Sequence, residues 1–262
     1  MRRVALLSLT DKSVITEHTC NGNVLKILEL KTTEYQNLVD AIIDVLPDYY
    51  IDPESLAATL ERLGKKAAAQ KLRIKMPEVK NIRSGDIGEA LTTDYIEEST
   101  EYSVPIRKLR WRDHRNMAMR GDDVIGILVN QEAQTIRFLK AEAKSNKALS
   151  RDVLQKAREE LDYDDGLPAP HALQFVAERL REVGNSDLSD LIEKVQLVDG
   201  LHSNQVEHLL FTYTTSNPIT LQKEALEAYT GNIAQSSVGF RVQKHQELIA
   251  DVFQGVTDAI DD

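Results

Sequence analysis

From position 121 to 144 the chain reads GDDVIGILVNQEAQTIRFLKAEAK. Two apolar runs flank the polar pair Asn130-Gln131, and each carries acid at its outer end. Asp122-Asp123 opens the first run, and Glu142-Ala143-Lys144 closes the second. β-Branched residues around a polar turn predict two strands, 123–129 and 135–144, paired as a hairpin. Side chains alternate along a strand, so Glu142 and Lys144 share a face with Ile136 and Phe138, while Asp123 aligns with Ile125 and Ile127. Counting outward from the turn brings Asp123 within a register step or two of Glu142. Two carboxylates held this way are oxygen ligands suited to Mg²⁺, with Mn²⁺ a possible substitute. Such a cation polarises a phosphate and acidifies a water. The Lys144 ammonium can orient that water or stabilise charge on the phosphorane. The chemistry assembled is phosphodiester hydrolysis on a nucleic-acid backbone. Asp123 is preferred to Asp122 as ligand because Val124 and Ile125 follow it directly, whereas Asp122 follows Gly121 in the turn.

Upstream, residues 84–98 predict a helix with Ile87, Leu91 and Tyr95 on one face. Glu89 sits in it between Gly88 and Ala90, small neighbours that permit close approach to a sheet, and is the fourth candidate catalytic residue. A strand is predicted at 102–111, followed by a basic turn. Downstream come helices at 149–161, 171–183 and 187–195, then a strand at 208–215. Nearer the N-terminus, strands are predicted at 4–9 and 24–30. Thr33-x-x-Gln36 resembles a capping box, and Asp52-Pro53-Glu54 is a helix start that runs to about Gly64, with a further helix at 65–72. Helices at 220–229 and 241–254 close the chain. The expected fold is α/β of the α+β type, with a mixed sheet and a core ordered α-β-β-β-α-β. It divides as an N-terminal α+β region (1–78), a core (79–218) and C-terminal helices (219–262).

The 262 residues carry a net charge of −10, which taken alone argues against a nucleic-acid partner. Its distribution argues the other way. Residues 103–158 hold 13 Lys and Arg against 6 Asp and Glu, an excess of seven positive charges, so the rest of the chain carries seventeen negative. The densest part of this band is Arg107, Lys108, Arg110, Arg112 and Arg115, read as contacts to DNA phosphates. Trp111 within it is a half-buried strand-end residue or, less readily, a base-stacking platform. A lone cysteine, Cys20, excludes an internal disulfide and a cysteine-based zinc cluster. No apolar run reaches membrane-spanning length and no signal-peptide pattern is present, so a soluble cytoplasmic protein is expected.

Other motifs fail on spacing. Glycines at 121 and 126 match a phosphate-binding loop, but Ile127-Leu128 replaces the required Lys and Ser or Thr. Residues 162–166 have the acids of a calcium loop with glycine one position early, and read as an acidic turn.

The ordered set Glu89, Asp123, Glu142-x-Lys144 resembles the PD-(D/E)xK nuclease superfamily. With Val104-Pro105-Ile106-Arg107-Lys108-Leu109-Arg110 and Gly121-Asp122-Asp123 included, it is similar to the HamA nuclease subunits of the Hachiman anti-phage defence system. That resemblance implies a metal-dependent DNase paired with a large helicase subunit, HamB, quiet until infection and then degrading DNA broadly. Related exonucleases carry Gln and, four residues on, Tyr after the lysine; here Gln155 is followed by Glu159. The rival class is a non-catalytic module of the same fold that recruits a helicase through an apolar face of Phe240, Leu248, Ile249, Val252 and Phe253.

Overall fold

The computed structural model describes residues 7–261. Strands β1 (Ser13–Cys20) and β2 (Asn23–Leu30) form a hairpin through Asn21-Gly22. Both turn residues have positive φ, 48° and 79°, the conformation that makes Asn-Gly a hairpin signal. Helices α1 (Tyr35–Tyr50), α2 (Pro53–Leu63), α3 (Lys65–Lys75) and α4 (Lys80–Ser99) follow. Strands β3 (Val124–Asn130) and β4 (Thr135–Ser145) lead to α5 (Arg151–Asp162), α6 (Pro170–Glu182) and α7 (Ser186–Lys194). Then come β5 (Val206–Thr214), α8 (Ile219–Glu227), β6 (Gln235–Arg241) and α9 (His245–Asp261). All six strands join one mixed sheet ordered β1-β2-β6-β5-β4-β3, within an α+β architecture.

Helices cover both faces of that sheet. Val124, Leu139, Ala141, Phe211 and Phe240 pack beneath buried residues of α1, α4 and α9. On the other side Ile125, Ile127, Ile136 and Phe138 pack against α6 and α7. The alternation read from the hairpin is thus a division between two helical layers. No helix among the described residues is long and apolar enough to cross a membrane.

Several expectations are corrected. Residues 102–111 form no strand: one bridge, Ser103 to Ile127, is followed by a 3-10 turn at Lys108–Trp111. Pro105 explains the break, since it has no N–H to continue a ladder. Half of the strand expected at 4–9, residues 4–6, falls outside the described residues, and Leu7 to Leu9 lie in irregular backbone. Thr33 caps nothing; a 3-10 turn at Thr32–Glu34 leads into α1, with no side-chain cap. Asp52 does cap α2, accepting from the Ser55 N–H at 3.0 Å.

The C-terminal part is not purely helical, because β6 inserts between β2 and β5, parallel to both. Gly239 permits this: a Cβ there would lie 2.6 Å from Gln222 Oε1 and from Pro218 Cγ. The apolar set assigned to docking is core. Phe240, Leu248, Ile249, Val252 and Phe253 are all buried: Phe240 lies on β6 in the sheet, and the other four are on α9, which packs against α1 and α4.

Candidate active site

The β3–β4 ladder pairs Val124 with Ala141 and ends at Asn130 opposite Thr135. One step beyond its open end, the same register sets Asp123 facing Glu142. Asp123 turns back onto β4, its Oδ2 accepting from the Ala143 N–H at 3.0 Å. Lys144 donates to Glu142 Oε1 from two residues along the strand.

Glu89 arrives on α4, which lies close to β4. A Cβ on Gly88 would sit 3.2 Å from Ser145 Cβ and 3.9 Å from Ala143 Cβ, so glycine sets the approach. Lys108, on the 3-10 turn, places its ammonium 3.8 Å from Glu89 Oε2 and 3.8 Å from Asp123 Oδ1. It also donates to the Asp122 carbonyl at 2.9 Å. Glu89, Asp123, Glu142 and Lys144 thus gather at one end of β3 and β4, with Lys108 added.

Burial and like charge disturb these carboxyls. Desolvation pushes Glu89 up to about 8, opposed by Lys108 and reinforced by Asp123. Desolvation also raises Glu142 to about 8, with Asp123 adding repulsion and Lys144 relieving it. Burial opposes the Lys108 charge, but Glu89, Asp123, Glu142 and Asp122 outweigh it and hold the ammonium above its ordinary range. The site therefore gathers more buried carboxyl groups than its two lysines can neutralise, and both glutamates hold their protons up to about pH 8.

Asp122 is committed elsewhere. Its Oδ2 accepts from the Ala169 N–H at 2.8 Å and its Oδ1 lies 3.5 Å from Lys140. Lys140 is buried, donating to the carbonyls of Tyr163 at 2.8 Å and Leu167 at 3.0 Å. These bonds tie β3 to the loop before α6 and leave Asp123 as the acid that faces the site.

The five basic residues read as a DNA band do not form a free surface. Arg112 is only 5% exposed, its guanidinium paired with Asp86 of α4. Lys108 lies among the carboxylates. Arg107 stacks over the Tyr49 ring, 4.7 Å from its centroid. Arg110 donates to the Asp48 carbonyl at 2.8 Å, and Arg115 to that of Arg73 at 3.0 Å. These links bind the turn to α1, α3 and α4. Trp111 is half-buried, edge-on to Phe175. Sequence reading missed Asp86, although its place three residues before Glu89 on a helix put both on one face.

A cavity of about 240 Å³ opens beside the cluster, lined by Glu89, Lys108, Asp122, Asp123, Arg107 and His171 among others. The donor set fits a hard divalent cation: Asp123 and Glu142 as ligands, with Glu89 near. A cation there would supply the positive charge that the ionised forms of Glu89 and Glu142 lack. Among the described residues no group of three or more His, Cys, Asp or Glu already stands at metal-ligand spacing.

The family profile for HamA matches residues 5–256. The chain belongs to the HamA family. A relative from Bacillus cereus, the Hachiman protein HamA, is 24% identical over 171 residues, which cover 65% of this chain and 60% of the relative. The matched portion therefore spans less than two thirds of that relative's length.

Proposed function

We infer that this chain is a metal-dependent DNase of the PD-(D/E)xK type. It acts as the effector of a Hachiman anti-phage defence system and cleaves DNA with little sequence preference in the cytoplasm. The observation that carries this reading is Asp123 held against β4 beside Glu142, its carboxylate bonded to the Ala143 N–H at the hairpin's open end, with Lys144 paired to Glu142 and Lys108 linking Asp123 to Glu89. Asp123 and Glu142 would hold Mg²⁺, or Mn²⁺, whose chemistry is to polarise the scissile phosphate and activate a water. Lys144, released from Glu142 once that carboxylate has another partner, orients the water or meets charge developing on the phosphate. Glu89 supports the same centre directly or through water. Arg107, Arg110 and Arg115 are the phosphate contacts left to this reading, binding the backbone without reading bases.

Purified protein incubated with plasmid and with linear DNA in Mg²⁺, Mn²⁺ or EDTA tests the proposal. Cleavage should require the metal. Asp123→Asn should abolish it with folding intact, whereas Asp122→Asn should lower the melting temperature through its lost contacts and leave residual metal-dependent activity. The reverse pattern would exchange the faces of β3 and move the site.

A helicase-type ATPase, HamB-like, is the proposed partner that restrains the nuclease, since a broadly active DNase would attack its own cell's DNA. Co-expressed chains should elute as one complex that is slower on intact plasmid than this subunit alone. Separate elution would end the partnership and leave the nuclease reading standing.

A further inference from the structure

The ammonium of Lys108 has an environment that resembles a cation site more than a salt bridge. Its oxygen neighbours are Glu89 Oε2 and Asp123 Oδ1, each at 3.8 Å, and the Asp122 carbonyl at 2.9 Å. Two carboxylates and a backbone carbonyl are the donors that hard divalent ions take. They come from α4 and from the start of β3, whereas the lysine reaches in from a separate turn. That turn is fastened on both sides of the lysine side chain's root, by Arg107 over Tyr49 and by Arg110 and Arg112. The cavity of about 240 Å³ borders Lys108, Glu89, Asp122 and Asp123 alike, so the side chain has space to swing away while the turn stays fixed.

We propose that Lys108 is an internal counter-cation: it occupies the space between Glu89 and Asp123 in the metal-free protein and must be displaced when a divalent cation binds. The inference rests on the metal-dependent reading above and deepens it, because it makes metal affinity a property set by a competing side chain. It also gives Lys108 a role different from a DNA contact on a basic band. In the metal-free state the ammonium keeps two buried carboxylates from facing each other without a counter-charge.

Manganese titration of the full chain by calorimetry, with melting curves in EDTA and in Mn²⁺, tests this without any cleavage assay. Lys108→Met removes a unit charge 3.8 Å from the ligand oxygen Asp123 Oδ1 and from Glu89 Oε2 beside it, and should tighten Mn²⁺ binding at least about tenfold. Arg151→Met, at an exposed residue paired with Glu224 and outside that turn, should change affinity less than about threefold, a bound that allows for longer-range charge effects. In EDTA the Lys108→Met protein should melt below wild type, and Mn²⁺ should raise its midpoint by more than it raises that of wild type. If Lys108→Met is too unstable to titrate, Lys108→Gln carries the same expectation. Measurable but equal Mn²⁺ affinity in wild type and the Lys108 variants would overturn the counter-cation role and leave the metal site intact. No Mn²⁺ binding by any folded variant would overturn both.

Discussion

Replacing Glu142 with Gln is expected to slow metal-dependent DNA cleavage by at least about 100-fold, the scale on which losing a group that stabilises transition-state charge is felt. The melting temperature should hold or rise. Glu142 is 8% exposed, and burial together with Asp123 raises its pKa to about 8. An ionised carboxylate in that position costs the resting protein stability, and the neutral amide of similar shape removes the cost. Gln can still accept a hydrogen bond from Lys144, so the strand end keeps its contact. Lys144→Ala should lose activity to a similar degree with the opposite effect on stability, since it leaves Glu142 buried without its counter-charge. Parallel cleavage assays and melting curves on the two variants separate the roles. Wild-type-like cleavage by both would remove Glu142 and Lys144 from the chemistry. Failure of Glu142→Gln to fold would make the pair a structural salt bridge instead.

What could be read from the sequence was the part fixed by short-range periodicity. The hairpin of β3 and β4 and the emergence of Asp123 and Glu142 at one end follow from alternation on either side of a polar turn, but the register was legible only to within a step or two and is fixed by the wider turn that closes on Asn130 and Thr135. Helix α4 and its Glu89 follow from a regular apolar spacing. What escaped depends on tertiary contact. Strand β6 contains Ser236, Ser237 and Gly239, poor strand formers, and exists because β2 and β5 supply hydrogen bonds on both sides. Strand β1 is an edge strand with most side chains exposed, which blurs its apolar signal. The Asn21-Gly22 dipeptide is a hairpin signal, but the strands expected at 4–9 and 24–30 leave it unused and miss β1. Charge was the least legible property. A run dense in arginine looks like a surface when counted along the chain, yet here each cation is drawn inward by a particular oxygen or ring.

Arg112 tests that last point with a large expected effect. Its guanidinium donates to Asp86 Oδ2 at 2.8 Å and to Asp86 Oδ1, and the Tyr50 hydroxyl donates to Asp86 Oδ2 at 2.7 Å. Desolvation disfavours the Asp86 charge and raises its pKa, while Arg112 and Tyr50 oppose that rise. Arg112→Met strips away the compensating cation and should destabilise the fold by about 3–5 kcal/mol, as breaking one half of a buried pair does. Removing both charges, in Arg112→Met combined with Asp86→Leu, should recover part of that loss because no uncompensated ion remains. Chemical denaturation of the wild type, the single variant and the double variant measures both quantities. A surface arginine serving DNA would behave otherwise: its loss would weaken binding and flatten the salt dependence by about one unit of slope, with little change in stability. An unshifted denaturation midpoint in Arg112→Met would therefore return Arg112 to the DNA-binding band. A lowered midpoint that the double variant partly restores would make the Asp86–Arg112 pair the anchor of the turn that carries Lys108 into the carboxylate cluster.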